Sequence, residues 1–145
     1  MISVNEAFKK LETNLDPKSW SDIPPGWADL IIELHEKLYA INPKYYLSQV
    51  KEKFGGLRYH FSPGEVSKEA AHKMFDLETE YETKSFRVCS FCGSTDSVKQ
   101  VVTSWIYTLC KPCCLKELKL VCNEDVEALW GKSVCTLDRK FQDGG

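Results

Sequence analysis

The sequence predicts an α+β fold, with a helical N-terminal body that carries one strand and a C-terminal module built on a small antiparallel sheet. Three observations support this prediction. Apolar residues recur at intervals of three and four through much of residues 1–86, as they do in amphipathic helices. Residues 98–109 are instead rich in β-branched and aromatic side chains, and all seven cysteines lie after residue 86. We therefore divide the chain into residues 1–86 and 87–145, and expect one cooperative unit because no linker-like composition separates them.

The composition is that of a folded chain. Its 145 residues, 43% hydrophobic and 12% aromatic, are enough to build a core and argue against disorder. The net charge of −2 lacks the basic excess on which non-specific nucleic-acid binding depends. The N-terminus does not resemble a signal peptide, and no apolar run is long enough to span a bilayer. We expect a cytoplasmic location, where cysteines are metal ligands or core residues more often than disulfides.

Two helices are predicted before residue 42. Ser3 and Glu6 have the spacing of a capping box, and the apolar residues behind them predict a helix over about residues 4–13. Pro25 can open a second helix, because proline lacks the N–H that the first turn leaves unpaired. The apolar stripe of this helix runs from Trp27 to Ile41.

A third helix, a strand and a fourth helix are predicted next. Asn42-Pro43 would cap the third helix, and Gly55-Gly56 would end it. The apolar face of this helix would hold Tyr46, Leu47, Val50 and Phe54. Leu57–Phe61 alternates between apolar and polar residues, which predicts a half-buried strand. The fourth helix would run from about Val66 to Tyr81, with a charged face exposed to solvent.

In the C-terminal module, two strands are predicted, Val98–Thr103 and Trp105–Leu109. Helices over about residues 112–121 and 124–130 would follow. A single strand leaves its backbone donors unpaired, and an isolated hairpin is only marginally stable. We therefore expect Leu57–Phe61 to pair with the 98–109 hairpin in a sheet of three strands.

The cysteines predict a metal site. Cys89-x-x-Cys92 and Cys110-x-x-Cys113 are two C-x-x-C hooks separated by 17 residues, a spacing typical of structural zinc. Two thiolates on each tight turn can reach one ion, and together the four complete a tetrahedron. Gly93 suits the turn after the first hook, since glycine adopts backbone angles that relieve crowding there. A knuckle, a hairpin and a hook at a helix start form the layout of a treble-clef finger, with one structural Zn²⁺.

Three further cysteines leave one alternative open. Cys114 is adjacent to Cys113 and could replace it as the fourth ligand. Cys122 and Cys135 have no partner hook, so we expect both to be small buried hydrophobes. Iron–sulfur ligation is less favoured because the closely spaced cysteine triple is missing.

The stretch from Lys51 to His60 is a second candidate site. Its glycines let the backbone approach a ligand closely, and its basic side chains could surround an anion. The candidate ligand-binding residues are Lys51, Lys53, Gly55, Gly56, Arg58, His60 and Trp105, the last near the turn of the zinc hairpin. The stretch is not a P-loop, because its glycines follow a helix and the G-K-[ST] ending is absent. The alternative interpretation is a helix end that leads into a strand with a solvated outer face.

No catalytic residue is predicted. The three histidines are scattered, and the spacing assembles no Ser/His/Asp or Cys/His arrangement. His35 and His72 each follow an apolar position by one residue, so we expect both at the surface or its rim. Four thiolates also leave the metal no open position for a reactive water. These observations favour a binding protein over an enzyme.

Several of these motifs resemble those of a family of small uncharacterised proteins from phages, prophages and bacterial genomes. The resemblance rests on Pro25-Gly26-Trp27, the run from Gln49 to Tyr59, the Cys89/Cys92 hook and the segment Trp105–Cys110. It covers roughly residues 25–115 and implies a phage or prophage setting, hence the cytoplasm of a host cell, but no particular activity. Members of the family often place a histidine near the second hook, where this chain has Cys113 or Cys114.

The sequence thus predicts a non-enzymatic, zinc-stabilised binding protein of phage type, an accessory or host-inhibiting factor. Its partner would be a protein, such as a host protein, or a small ligand, with no membrane contact. One alternative is nucleic-acid or nucleotide binding through Lys51–His60 and the zinc hairpin, which the net charge disfavours. A second alternative is a small metal-dependent nuclease or phosphodiesterase that uses Arg58, His60 and nearby carboxylates.

Overall fold

The computed structural model of the protein describes residues 3–15, 23–102 and 106–117, together with the backbone of residues 135–136. The helices are α1 (Val4–Leu11), α2 (Ala28–Ile41, preceded by the 3₁₀ turn Pro25–Trp27), α3 (Lys68–Ser85) and α4 (Lys111–Glu117). The strands are β1 (Tyr46–Lys53), β2 (Gly56–Ser62), β3 (Val98–Val102), β4 (Ile106–Cys110) and β5 (Cys135–Thr136). The predicted α+β class is confirmed.

The first two helices form where the sequence predicts them. The Ser3 hydroxyl accepts a hydrogen bond from the backbone N–H of Glu6 at 3.2 Å, which satisfies one unpaired donor of the first turn. The chain after α1 is held by Asn14, whose side-chain amide donates to the carbonyls of Pro43 (2.8 Å) and Tyr45 (2.7 Å). These bonds fix the end of α1 against the entry of β1.

The predicted third helix is wrong, because residues 46–53 form strand β1, paired antiparallel with β2. Leu47 and Val50 are both fully buried, and their three-residue spacing suggested a helical face. The pairing register shifts by one residue between Leu47 and Gln49, so the strand contains a β-bulge. The extra residue puts Leu47 and Val50 on the same face of the strand.

A two-residue turn joins β1 to β2. Phe54 and Gly55 both have positive φ angles, 55° and 82°, and lie between the paired residues Lys53 and Gly56. Two successive left-handed residues are the signature of a type I′ hairpin turn, whose twist matches that of the strands. The Gly-Gly pair therefore continues a hairpin and does not end a helix.

The predicted three-stranded sheet containing Leu57–Phe61 is also wrong. Within the described residues, β2 pairs with β1 in a two-stranded sheet, whereas the second sheet has the order β4-β3-β5. In that sheet β3 is antiparallel to β4, as predicted for the hairpin, and parallel to β5. The outer edge of β2 is instead covered by α3, where the Ser85 hydroxyl accepts from the backbone N–H of Leu57 at 2.9 Å.

Buried apolar residues form two clusters. The larger one lies between α1, α2, α3 and the β1–β2 hairpin, with Trp27, Tyr59 and Met74 among its fully buried members. The smaller one surrounds the cysteines and includes Val101 and Leu109. No helix within the described ranges is both long and apolar enough to cross a membrane. The predicted helix at 124–130, the end of the one at 112–121, and Trp105 lie outside the described residues.

Candidate metal centre

The four thiols of the two predicted hooks come together. The Sγ atoms of Cys89, Cys92, Cys110 and Cys113 all lie within 4.8 Å of one another, and those of Cys92 and Cys110 are 3.5 Å apart. A tetrahedral ion with metal–sulfur bonds of 2.3 Å would require sulfur–sulfur distances of about 3.8 Å. The four thiols are therefore placed so that they could hold one metal ion.

The first hook has the backbone conformation of a knuckle. The Cys89 thiol accepts hydrogen bonds from the backbone N–H groups of Phe91 and Cys92, which lie two and three residues further along the chain. The turn closes through the Gly93 N–H, which donates to the Cys89 carbonyl at 2.9 Å. Gly93 has a φ of 81°, a left-handed conformation that favours glycine. The sequence-based expectation for this glycine is confirmed.

The second hook joins a strand to a helix. Cys110 is the last residue of β4, and α4 begins at Lys111, so Cys113 lies in the first turn of that helix. The backbone N–H of Cys113 donates to the Cys110 thiol. Because β4 is paired along its length with β3, the sheet holds this hook opposite the knuckle.

The thiols differ in acidity. Burial acts to raise the pKa of the Cys89 thiol, but the N–H groups of Cys92, Cys110 and Phe91 outweigh it and bring the pKa below its ordinary value. Burial raises the pKa of Cys110 and of Cys113. Deprotonating these two thiols beside Cys89 would accumulate negative charge in a small volume. A bound divalent cation would compensate that charge, as thiolate ligands require.

Cys114 has a different position from its neighbour. Its side chain is buried in the apolar cluster with Val101 and Leu109, and it is not a member of the four-thiol group found among the described residues. In a helix, adjacent residues point about 100° apart, so Cys113 and Cys114 cannot both face the same ion. The geometry favours Cys113 as the fourth ligand. Cys122 and the side chain of Cys135 lie outside the described residues.

The Pro-Gly-Trp motif at the start of α2 packs against the knuckle. The Gly26 N–H donates to the Ser90 carbonyl at 2.8 Å, and the Trp27 indole N–H donates to the Val88 carbonyl at 2.7 Å. A Cβ atom at Gly26 would lie only 2.0 Å from the Cys89 carbonyl oxygen. Glycine is therefore required here by the close approach of two backbones.

The Gly-Gly turn makes a second contact between the body and the cysteine module. The Thr108 hydroxyl, on β4, donates to the Gly55 carbonyl. A Cβ atom at Gly56 would lie 2.5 Å from the ring of Phe86. Both glycines are buried and in contact with protein, so these packing contacts account for them. A role for either glycine in binding a ligand stays a prediction.

The basic residues of the second candidate site share one face of the hairpin. Lys51 is paired with Arg58, and His60, which is exposed, lies on the same face two residues further along β2. The Arg58 guanidinium forms an ion pair with Glu82 of α3 at 3.0 Å, which offsets its charge. Lys53 is exposed near the turn, with its Nζ 5.5 Å from the centre of the Phe54 ring. Trp105 is not described, so the structure does not place it near these residues.

Sequence reasoning missed His35. The expectation that it lies at the surface is wrong, because only 7% of the residue is exposed. The ring Nδ1 lies 2.5 Å from the Tyr45 hydroxyl. A signal was present in the sequence, since His35 follows Ile31 by four residues and precedes Leu38 by three. That spacing puts it on the buried face of α2.

Comparison of the chain with protein-family models, with curated proteins and with solved structures gave no match.

Proposed function

We propose that the protein is a non-enzymatic binding protein whose C-terminal module is held together by one structural Zn²⁺. The observation that carries this proposal is the convergence of four thiols from two hooks. Thiolates are soft ligands that select zinc over magnesium, calcium or manganese. Four of them fill the tetrahedral positions of zinc, which leaves none for a reactive water or a substrate.

The order of elements supports a treble-clef arrangement. The knuckle at residues 89–93 is followed by the β3–β4 hairpin, and the second hook lies at the junction of β4 and α4. In this layout metal binding supplies the stability that a larger hydrophobic core would otherwise provide, which a module of this size lacks. The motifs at residues 25–27 and 49–59 support membership of the phage-associated family, and with it an accessory or host-inhibiting role in an infected cell.

A groove beside the knuckle is the surface we propose for a protein partner. It has a volume of about 190 Å³ and is lined by Pro24, Pro25, Glu52, Ser90, Phe91 and Tyr107. Phe91 is 38% exposed, although it lies on the turn that holds the metal. Exposed Pro25 and Phe91 and half-buried Pro24 and Tyr107 surround one acidic residue, Glu52, which suits a partner surface that is apolar with a basic rim.

Metal content tests the first part of the proposal. Native mass spectrometry of the full chain should find one Zn²⁺, and Cys92→Ser should lose it, because three thiolates hold the ion less tightly. Cys114→Ala is the matched control. It removes the cysteine next to Cys113, which is not one of the four clustered thiols, so this variant should keep the metal. Retention of zinc in Cys92→Ser, or its loss only in Cys114→Ala, would contradict the ligand set.

Partner capture tests the second part. The immobilised zinc-loaded protein is exposed to a lysate of the bacterial host, in parallel with Phe91→Ser and Phe75→Ser. Phe75 has a similar exposure, 44%, but lies on α3 and stacks on Phe61. We expect a host protein to bind the unsubstituted chain and Phe75→Ser but not Phe91→Ser. A set of bound proteins that does not change with Phe91→Ser would exclude the groove.

The two alternatives gain less from the structure. Anion or nucleic-acid binding through residues 51–60 would need Arg58, which is already paired with Glu82. A metal-dependent nuclease at Arg58 and His60 would need a metal held by nearby carboxylates, but among the described residues the group placed to hold an ion is the four cysteines. We therefore do not propose either activity.

A further inference from the structure

A cavity away from the cysteines opens between α1 and α2. It has a volume of about 330 Å³, at the lower end of the range for small-molecule sites. Its described lining consists of Lys10, Thr13, His35, Glu36 and Tyr39. These five residues combine a cation, a carboxylate, a hydroxyl, an imidazole and an aromatic ring.

His35 ends a chain of buried hydrogen bonds. The Tyr59 and Tyr45 hydroxyls are 2.6 Å apart, and the Tyr45 hydroxyl is 2.5 Å from His35 Nδ1. Tyr45 and Tyr59 are each only 1% exposed. Burial raises the pKa of both phenols, so both hydroxyls keep their protons.

The direction of this chain follows from counting donors and acceptors. Among the described residues, the Tyr59 hydroxyl has the Tyr45 oxygen as its hydrogen-bond partner, so its proton points there. Tyr45 must then donate to Nδ1 of His35, which acts as an acceptor. A neutral imidazole with Nδ1 as acceptor carries its proton on Nε2. If Nδ1–H donated to Tyr45 and Tyr45 donated to Tyr59, the buried Tyr59 proton would have no acceptor among the described residues, which is costly.

The Nε2–H donor of His35 is available to a ligand. Among the described residues, Tyr45 is the hydrogen-bond partner of the His35 ring, and it bonds Nδ1, not Nε2. His35 lines the cavity, and its Nδ1 is turned towards the buried Tyr45 hydroxyl, so Nε2, on the other side of the ring, is the nitrogen that a ligand in the cavity would meet. A histidine more than nine-tenths buried thus presents one fixed N–H to a space that a small molecule can enter.

The neighbours of His35 define the ligand. Lys10 and Glu36 are 3.8 Å apart and more than half exposed, an arrangement that contributes little stability and leaves Lys10 able to bind another anion. The Thr13 hydroxyl donates to Asn14, so its oxygen remains an acceptor. The Tyr39 ring, 5.7 Å from the His35 ring, forms an apolar wall.

We propose that this cavity binds a small carboxylate. The carboxylate accepts from His35 Nε2–H and pairs with the Lys10 ammonium. Glu36 and the Thr13 oxygen, which also line the cavity, favour a ligand that carries an ammonium group as well, which is the chemistry of a free amino acid. The site lies apart from the four cysteines and from the groove at Phe91, so the function proposed above does not depend on it.

The test uses the full-length zinc-loaded protein labelled with ¹⁵N. Imidazole spectra should show His35 as the Nε2–H tautomer, and Tyr45→Phe should remove that preference because Nδ1 loses its donor. Glycine, acetate, methylamine and inorganic phosphate are added separately to about 10 mM, ten times the dissociation constant of a weak millimolar site. Glycine should shift the His35 Nε2–H signal most, acetate less, and methylamine and phosphate not at all.

Two lysine variants separate binding from folding. Lys10→Met should weaken glycine binding about tenfold or more, as expected when a charged hydrogen bond is lost, with an unchanged melting temperature. Lys9→Met is the matched control, since Lys9 is exposed on the same helix but does not line the cavity, and should bind normally. The proposal is overturned if neither glycine nor acetate shifts the His35 signal, if phosphate alone does, or if Lys10→Met binds as Lys9→Met does.

Discussion

Single glycines determine how closely the helical body approaches the cysteine module. Gly26 brings the 3₁₀ turn before α2 against the knuckle backbone, and Gly56 leaves room for the ring of Phe86. Neither requirement involves a ligand. Residues of a distinctive motif can thus be needed for contact between two parts of one chain.

Gly26→Ala should destabilise the protein and loosen the metal. The added Cβ would meet the Cys89 carbonyl, so the knuckle must shift, at a cost of about 1–3 kcal/mol for an overpacked site. Chemical unfolding gives the stability, and transfer of zinc to a colorimetric chelator gives the rate of metal loss. Gly64→Ala is the comparison: Gly64 has a φ of 79°, so this variant should also be destabilised, but zinc should leave at the normal rate. Equal rates of zinc loss in the two variants would argue against a contact through Gly26.

His35 should make stability depend on pH below neutrality. Burial lowers its pKa, with a smaller opposing effect from Glu36 and a further lowering by Lys10. The unfolded chain therefore takes up the proton at higher pH, near the usual pKa of about 6.5, than the folded chain does. The stability that His35 contributes is therefore fully present above its unfolded-state pKa. It is lost as the pH falls towards the folded-state pKa.

The measurement is urea unfolding between about pH 7.5 and 5.5. His35→Gln should flatten the loss of stability over this range, and His60→Gln, at an exposed position, should not. Because metal affinity also falls with pH, the comparison is between variants at equal zinc. An identical pH profile in His35→Gln would contradict the prediction.

At the scale of elements, the β1–β2 hairpin replaces the helix that the apolar spacing suggests. A bulge lets Leu47 and Val50 face the same core, and a type I′ turn fixes the register between the strands. α3 then covers the outer edge of β2 through Ser85, so the two-stranded sheet does not stand alone. The hairpin is stable because α3 packs on it.

Phe54→Asn should stabilise the hairpin. Phe54 has a φ of 55° and is 61% exposed, so it bears left-handed strain with little compensating burial. Asn-Gly is the preferred pair for this turn, and the gain should be about 0.5–1 kcal/mol, part of the cost of a left-handed residue. Thermal unfolding is the measurement. Phe54→Val, which is β-branched, should have the opposite effect, and a lower melting temperature for Phe54→Asn would show that the aromatic ring matters more than the backbone.

At the scale of the whole molecule, the body and the cysteine module share no sheet in the part of the chain that the structure describes. Hydrogen bonds between the two parts include the Trp27 indole N–H on the Val88 carbonyl, the Gly26 N–H on the Ser90 carbonyl and the Thr108 hydroxyl on the Gly55 carbonyl. All three partners in the cysteine module lie on or near the elements that hold the thiols. Loss of the metal should therefore lower the stability of the helices in residues 1–86.

Removal of the proposed Zn²⁺ by a chelator should lower the melting temperature of the whole chain, because the knuckle contacts the turn that precedes α2. Calorimetry of the zinc-loaded protein should give one transition. After chelation, the melting temperature measured by circular dichroism at a helical wavelength should fall by the same amount as the one measured by tyrosine and tryptophan fluorescence. Helices that melt at an unchanged temperature after chelation would show that residues 1–86 fold independently.

The sequence by itself determined the cysteine hooks, α1, α2, α3, the strand β2 and the β3–β4 hairpin. These features depend on short-range patterns, such as the Ser3 cap or the two-residue gap inside each hook, which act before any distant contact forms. Only the tertiary structure decided that residues 46–53 are a strand, because a bulge gives Leu47 and Val50 the three-residue spacing of a helix. It also decided the partner of β2 and the choice of Cys113 over Cys114 as neighbour of the other thiols. Each of these depends on groups far apart in the chain, and local spacing carries no information about which of them meet.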